Sequence, residues 1–198
     1  MLTLHHAPQS RSSRIVWLLE ELGAPYELRI TDIPRPDGSG GPDPGNPHPD
    51  GKVPALVDDG VLVTESAAIV LYLTDRFPAA GIGPVVGDAL RGGYLTWLAY
   101  YAGVLEPVVT FQFAELANHP VLQRTFRGRA ETDARVLAAL RAGGPYVLGE
   151  RFSGADVLVA SVGHFARNML PADGLVDAYL ARIAARPALV RAQAKDRG

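Results

Sequence analysis

Residues 51–72, Gly-Lys-Val-Pro-Ala-Leu-Val-Asp-Asp-Gly-Val-Leu-Val-Thr-Glu-Ser-Ala-Ala-Ile-Val-Leu-Tyr, leave little choice of local fold. Residues 53–57 form a short apolar run rich in valine and predict a strand. Asp58-Asp59-Gly60 predicts a tight turn, because Asp-Gly between apolar runs supplies the positive φ that a hairpin needs. Residues 61–64 predict the return strand. A helix then starts at Glu65-Ser66, with Ile69, Val70, Tyr72 and Leu73 as its apolar positions.

Pro54 and Ser66 carry chemistry within this stretch. Pro54 opens a strand, where it removes a ladder donor. A cis Val53-Pro54 bond would turn the N–H and C=O of Val53 outward, toward an extended ligand. A trans bond would make Pro54 an ordinary edge-strand proline, and cis is the minority form at about 5–6% of X–Pro bonds. Ser66 lies at a helix N-terminus, where its hydroxyl and the N–H groups behind it make an anion site. Glu65 beside it can hold an ammonium, so a ligand with an α-amino acid end suits the pair. The other reading of Ser66 is a plain N-cap.

Upstream, residues 2–6 (Leu-Thr-Leu-His-His) predict a first strand and residues 7–13 a turn. A helix is expected over residues 13–22, since Ile15, Leu18, Leu19 and Leu22 fall on one face at i, i+3, i+4, i+7. Gly23 is a natural stop and Pro25 a breaker. Residues 26–33 predict a second strand, parallel to the first after a right-handed crossover. Pro and Gly make up 11 of the 18 residues from 34 to 51, so that segment reads as an irregular loop.

Residues 78–88 read as a linker, and the chain beyond is helical. Leu90, Tyr94, Trp97, Leu98, Tyr101 and Leu105 keep helical spacing, with a kink expected at Pro107. One helix is expected over residues 121–141, closed by Gly143-Gly144-Pro145. Ser153-Gly154-Ala155-Asp156 is a capping box, with Phe152 and Val157 placed as a hydrophobic staple, so Asp156 is a folding residue rather than a catalytic one. Two further helices are expected over residues 174–185 and 187–194.

At 198 residues the chain is long enough for one large domain or two small ones. A net charge of −2 offers no basic surface for nucleic acid. No apolar run approaches the ~18–20 residues that span a bilayer, so no membrane partner is expected. The chain has no cysteine, which fits a reducing, cytoplasmic setting and excludes chemistry on a protein thiol. His5-His6 lacks the partners of a metal site, Gly38-Ser39-Gly40-Gly41 lacks the context of a phosphate loop, and no Gly-x-Ser-x-Gly elbow occurs.

Val-Pro-Ala-Leu, a hairpin and Glu-Ser-Ala-Ala-Ile together resemble the thioredoxin-like domain of the cytosolic glutathione S-transferases. Phe152-Ser153 through Ala155-Asp156 resembles the capping box of the same family's helical domain, and the two motifs lie in the family's order. The turn around Arg11-Ser12-Ser13-Arg14 is most similar to the family's bacterial and fungal serine-type group. The resemblance implies a thioredoxin-like α/β domain over residues 1–77, a linker over 78–88 and an all-α domain over 89–198. It also implies a cis Pro54, glutathione as co-substrate with no metal, a small hydrophobic electrophile and a homodimer. Val53 would pair with the cysteinyl part of glutathione, and Glu65 and Ser66 would hold its γ-glutamyl end.

Such an enzyme makes a thiol nucleophilic, and a free thiol with pKa about 8.5 is only about 3% thiolate at pH 7. The hydrogen-bond donor is expected between the first strand and the first helix, near the helix N-terminus. That turn offers Ser10, Ser12 and Ser13 but no tyrosine or cysteine. Ser10 is the first candidate and Ser12 the second, while Ser12 and Ser13 are also candidate N-caps. Lys52 would neutralise the glycyl carboxylate, with His48 a weaker choice. Trp97, Tyr101 and Phe111, with Tyr94, are candidates to line the electrophile pocket, although such an aromatic stripe also suits a core. The leading function is glutathione transfer. The alternatives are a non-catalytic glutathione or hydrophobe binder on the same fold, and a glutathione-dependent isomerase, peroxidase or disulfide reductase.

Overall fold

The structure, a computed structural model, describes residues 1–197. Its contacts divide the chain into two units: Met1–Ala80 together with the segment from Ala185 onward, and Gly81–Ala184.

The first unit is built on a four-stranded sheet in the order β2-β1-β3-β4. Strand β1 (Leu2–His6) pairs in parallel with β2 (Tyr26–Ile30) and antiparallel with β3 (Ala55–Asp58), and β3 pairs antiparallel with β4 (Val61–Thr64). Asp59 and Gly60 adopt φ 48° and 88° in the hairpin, as a two-residue turn of this kind requires. Helix α1 (Ser13–Leu22) buries Ile15, Leu18, Leu19 and Leu22, and Gly23 at φ 61° closes it with a left-handed cap. Helix α2 (Ser66–Arg76) buries Ile69, Val70 and Leu73. Tyr72 remains half-buried, and its hydroxyl donates to Asp58 Oδ2 at 2.9 Å.

Strand β2 ends three residues before the expected Ile33. Its partner β1 stops at His6, opposite Ile30; Thr31 N–H then donates to the His6 carbonyl, and Asp32 takes the N–H of Ile33. Strand β3 likewise begins at Ala55, where β1 starts to pair with it, so Val53 and Pro54 lie just beyond the ladder. Residues 31–54 form no helix or strand. The C-terminal helix α9 (Pro187–Asp196) packs along α1. Arg191 and Lys195 of α9 both bond Glu20, at 2.8 and 2.6 Å.

The second unit is helical. Helix α3 (Arg91–Tyr100) continues through a π turn (Tyr101–Leu105) into α4 (Glu106–Phe113). Pro107 has no N–H for the carbonyl four residues back and its ring would crowd that carbonyl, so a widened turn absorbs the expected kink. The single helix expected over 121–141 is two, α5 (Pro120–Thr125) and α6 (Arg129–Arg141). Phe126 is extended at φ −114°, ψ 158°, and Gly128 at ψ −179° restarts the chain as an N-cap. Val136 and Leu140 of α6 are buried.

Helix α7 (Gly154–Phe165) carries the complete capping box at Ser153 and Asp156. Asp156 is fully buried and accepts from Val147 N, Ser153 N, Ser153 Oγ and Tyr179 Oη. Helix α8 (Gly174–Ala184) supplies that tyrosine. Among the described residues, no helix is long and apolar enough to cross a membrane.

Candidate functional site

The strand register places three chemically distinct segments at one end of the first unit's sheet. His5 pairs with Ala55, and Ala55 pairs with Thr64, so these residues form a line across β1, β3 and β4. The serine turn leaves β1 at that line. Lys52, Val53 and Pro54 arrive at it, and Glu65 and Ser66 leave from it. Adjacent strands lie about 4.8 Å apart, so this three-strand edge spans about 10 Å.

The Val53-Pro54 peptide bond is cis. Glu65 occupies the N-cap position of α2 with φ 66° and ψ 121°, and its side chain is exposed. That conformation costs a non-glycine residue about 1–3 kcal/mol, and such strain concentrates at functional sites. Ser66 is therefore the first residue inside the helix rather than its cap; it is 8% exposed. Lys52 is exposed, and its carbonyl accepts from Asn46 Nδ2 at 3.0 Å. His48 is buried, with Nδ1 accepting from the N–H of Asp50.

The serine turn is densely hydrogen-bonded. Ser10 is half-buried, and its Oγ lies 2.7 Å from both the Ala7 carbonyl and Ser12 Oγ. Ser12 is fully buried, with Oγ 2.7 Å from His6 Nδ1 and accepting from Ala7 N–H at 3.1 Å. Ser12 stands at the N-cap position of α1, but its side chain makes no cap bond and turns to His6 instead. Ser13 Oγ accepts from Ser10 N–H at 3.2 Å and donates to Asp196 Oδ1 at 2.5 Å. Asp196 also accepts from Gln9 N–H at 3.3 Å, where Gln9 holds φ 55°.

His6 is fully buried at the end of β1. Its Nε2 lies 3.2 Å from Asp196 Oδ1, out of line for a hydrogen bond. Burial lowers its pKa and the Asp196 carboxylate opposes that, leaving the pKa below the ordinary 6.5. The nearest thing to a sequence signal for this arrangement was a histidine six residues before a serine. Asp196 gave none, since it reaches the turn only because α9 packs on α1.

The aromatic candidates lie in the helical unit. Tyr94, Trp97 and Tyr101 are 0%, 5% and 1% exposed. Trp97 meets Tyr100 edge-on at 5.6 Å, with the Arg135 guanidinium 5.5 Å over its ring. Phe111 is half-buried, edge-on to Phe126 at 5.1 Å, beside a cavity of about 30 Å³ that Val108 and Arg127 also line. That volume suits about one water.

Residues 10–76 match the family model for the glutathione S-transferase N-terminal domain. Glutathione S-transferase 3 of Schizosaccharomyces pombe is 49% identical over 109 residues, which are 55% of this chain and 44% of that relative. Glutathione S-transferase GstA of Escherichia coli O157:H7 is 30% identical over 173 residues, covering 85% of this chain and 86% of the relative. Among solved structures, a glutathione S-transferase from Actinobacillus pleuropneumoniae is similar over 100% of this chain and 94% of its own, with a TM-score of 0.82 at 30% identity.

Proposed function

The chain belongs to the glutathione S-transferase family, and from that premise we propose that it holds glutathione along the edge where β1, β3 and β4 meet. There it stabilises the thiolate for attack on a small hydrophobic electrophile. The line His5–Ala55–Thr64 carries this reading. A tripeptide extends about 10 Å, the span of the three-strand edge. Its γ-glutamyl end fits Glu65 and Ser66, an ammonium beside the exposed carboxylate and a carboxylate at the N-terminus of α2. Its middle residue fits the backbone of Val53, outside the ladder. Its glycyl carboxylate fits Lys52.

The sulfur then falls toward the serine turn. Ser10, half-buried, is the donor that can reach a ligand, whereas Ser12 is fully buried behind it. One hydrogen bond to a thiolate is worth about 1.5–3 kcal/mol, which lowers a thiol pKa by about 1–2 units. Of the aromatic candidates in the helical unit, Phe111 is half-buried, whereas Tyr94, Trp97 and Tyr101 are buried in that unit's core. Homodimer formation follows the family and belongs to the same proposal.

One observation favours a non-catalytic binder instead: Ser10 Oγ already has an acceptor in the Ala7 carbonyl at 2.7 Å. Calorimetry with glutathione and S-methylglutathione separates binding from thiolate formation. The transferase reading expects both ligands to bind, and thiolate absorbance at neutral pH with glutathione alone. Binding of both without thiolate absorbance would leave the binder.

A further inference from the structure

We propose that His6 accepts the glutathione thiol's proton through a two-hydroxyl relay, Ser10 then Ser12, with Asp196 set against the far side of the ring. The proposal rests on the reading above, in which the thiol meets Ser10. Catalytic contact belongs to Ser10; Ser12, His6 and Asp196 act through it as positioning residues.

The geometry is a continuous chain. Ser10 Oγ is 2.7 Å from Ser12 Oγ, and Ser12 Oγ is 2.7 Å from His6 Nδ1. His6 Nε2 is buried without a hydrogen bond, 3.2 Å from Asp196 Oδ1. A carboxylate facing Nε2 favours the tautomer with its proton there, which leaves Nδ1 as acceptor.

A hydroxyl has one proton to donate and two lone pairs to accept. At rest, Ser12 donates to His6 Nδ1 and accepts from Ala7 N–H and Ser10. The one Ser10 proton has two acceptors at 2.7 Å, the Ala7 carbonyl and Ser12 Oγ; the relay runs from the arrangement in which it turns to Ser12, where Ser10 accepts from Ser12 N–H at 3.1 Å and has one lone pair left for the thiol S–H. The step breaks three bonds to hydrogen and forms three. The thiol proton passes to Ser10 Oγ, the Ser10 proton to Ser12 Oγ and the Ser12 proton to His6 Nδ1. The products are a thiolate and an imidazolium. Every hydrogen bond along the chain is then reversed, so Ser10 donates to the sulfur and Nδ1–H donates to Ser12. Each hydroxyl keeps one donated and two accepted hydrogen bonds in both states, and the Ser10 contact with the Ala7 carbonyl is given up. The imidazolium gains the Asp196 carboxylate, which Ser13 and Gln9 N–H hold in place.

Among the described residues, the charged group that acts on His6 is Asp196 of α9; the serine turn presents the neutral Ser12 to it, and Arg29 and Asp43 act on the neighbouring His5. Burial keeps this imidazole neutral at rest, and it charges only where the Asp196 carboxylate and the thiolate left behind together offset that burial.

The test uses nitrogen NMR of the histidine rings in the full chain at neutral pH, with thiolate absorbance recorded in parallel. With glutathione bound, the His6 ring should become doubly protonated as thiolate appears; with S-methylglutathione it should stay neutral. His6→Gln should raise the bound thiol's pKa by about one unit or more, with S-methylglutathione affinity retained. Thiolate formation with a neutral His6 would overturn the relay while leaving the transferase reading intact. Failure of glutathione to form any thiolate would overturn that reading and the relay with it. Because the NMR comparison uses the unaltered protein, it decides the matter even if His6→Gln fails to fold.

Discussion

Arg186 grips Glu21 with two hydrogen bonds, Nε to Oε1 at 2.6 Å and Nη2 to Oε2 at 2.7 Å, across 165 positions of sequence. The fork matches the carboxylate in a bidentate pair, and Trp17 Nε1 donates to the same carboxylate at 2.9 Å. The Glu21 side chain is 6% exposed, so the pair is largely desolvated. It fixes the start of α9 on the end of α1, and the opposite end of α9 then delivers Asp196 to the serine turn. Arg186→Ala leaves a buried carboxylate short of its cation and should cost about 2–4 kcal/mol. Chemical denaturation should show it, with a smaller loss for Arg186→Lys because the fork is gone but the charge remains.

The capping box makes a second stability prediction with a pH sign. Burial raises the Asp156 pKa to about 6, against the four hydrogen bonds that pull it down. The folded state therefore holds a proton between about pH 4 and 6 that the unfolded chain releases. Over that window Asp156 contributes stability at the acid end that is lost as pH rises toward 6. Asp156→Asn, which cannot ionise, should remove this component of the slope. Asp156→Ala strands buried donors from Val147, Ser153 and Tyr179 and should cost about 3–5 kcal/mol. Denaturant midpoints at pH 4, 5 and 6 check both.

The ligand edge should show a graded response. Ser66 is 8% exposed at the N-terminus of α2, so a hydrogen bond from it to a charged carboxylate is shielded from water. Ser66→Ala should weaken glutathione binding about 10–100-fold. Lys52 is exposed, so its ion pair with the glycyl carboxylate is screened, and Lys52→Ala should cost no more than about fivefold. Calorimetric titration measures both. Equal losses at the two positions would contradict the placement of the γ-glutamyl end at Ser66.

Local patterns made much of this fold legible. The apolar face of α1, the Asp59-Gly60 turn and the Ser153-Asp156 box each specify their element within a dozen residues, and each is found. Local chemistry favours a trans bond at Pro54, and only the family resemblance implies the cis bond that is found. The break at residues 126–128 escapes a reading by periodicity, because Val136, Leu137 and Leu140 define the helical face only downstream of it and a lone Gly128 is a weak stop. The surroundings of Ser12 were hidden for another reason. Its buried contact with His6 depends on how the turn folds back on β1, and Asp196 arrives from the far end of the chain. Propensity and spacing do not encode such tertiary meetings.

The most direct test of the account is a pH titration of thiolate absorbance for glutathione bound to the unaltered protein and to Ser10→Ala. The chain has no cysteine, so any thiolate signal belongs to the ligand. The account predicts a bound pKa about 1–2 units below the free value near 8.5, returning most of the way in Ser10→Ala. Bound glutathione with an unshifted pKa, or a shift that survives Ser10→Ala unchanged, would contradict it.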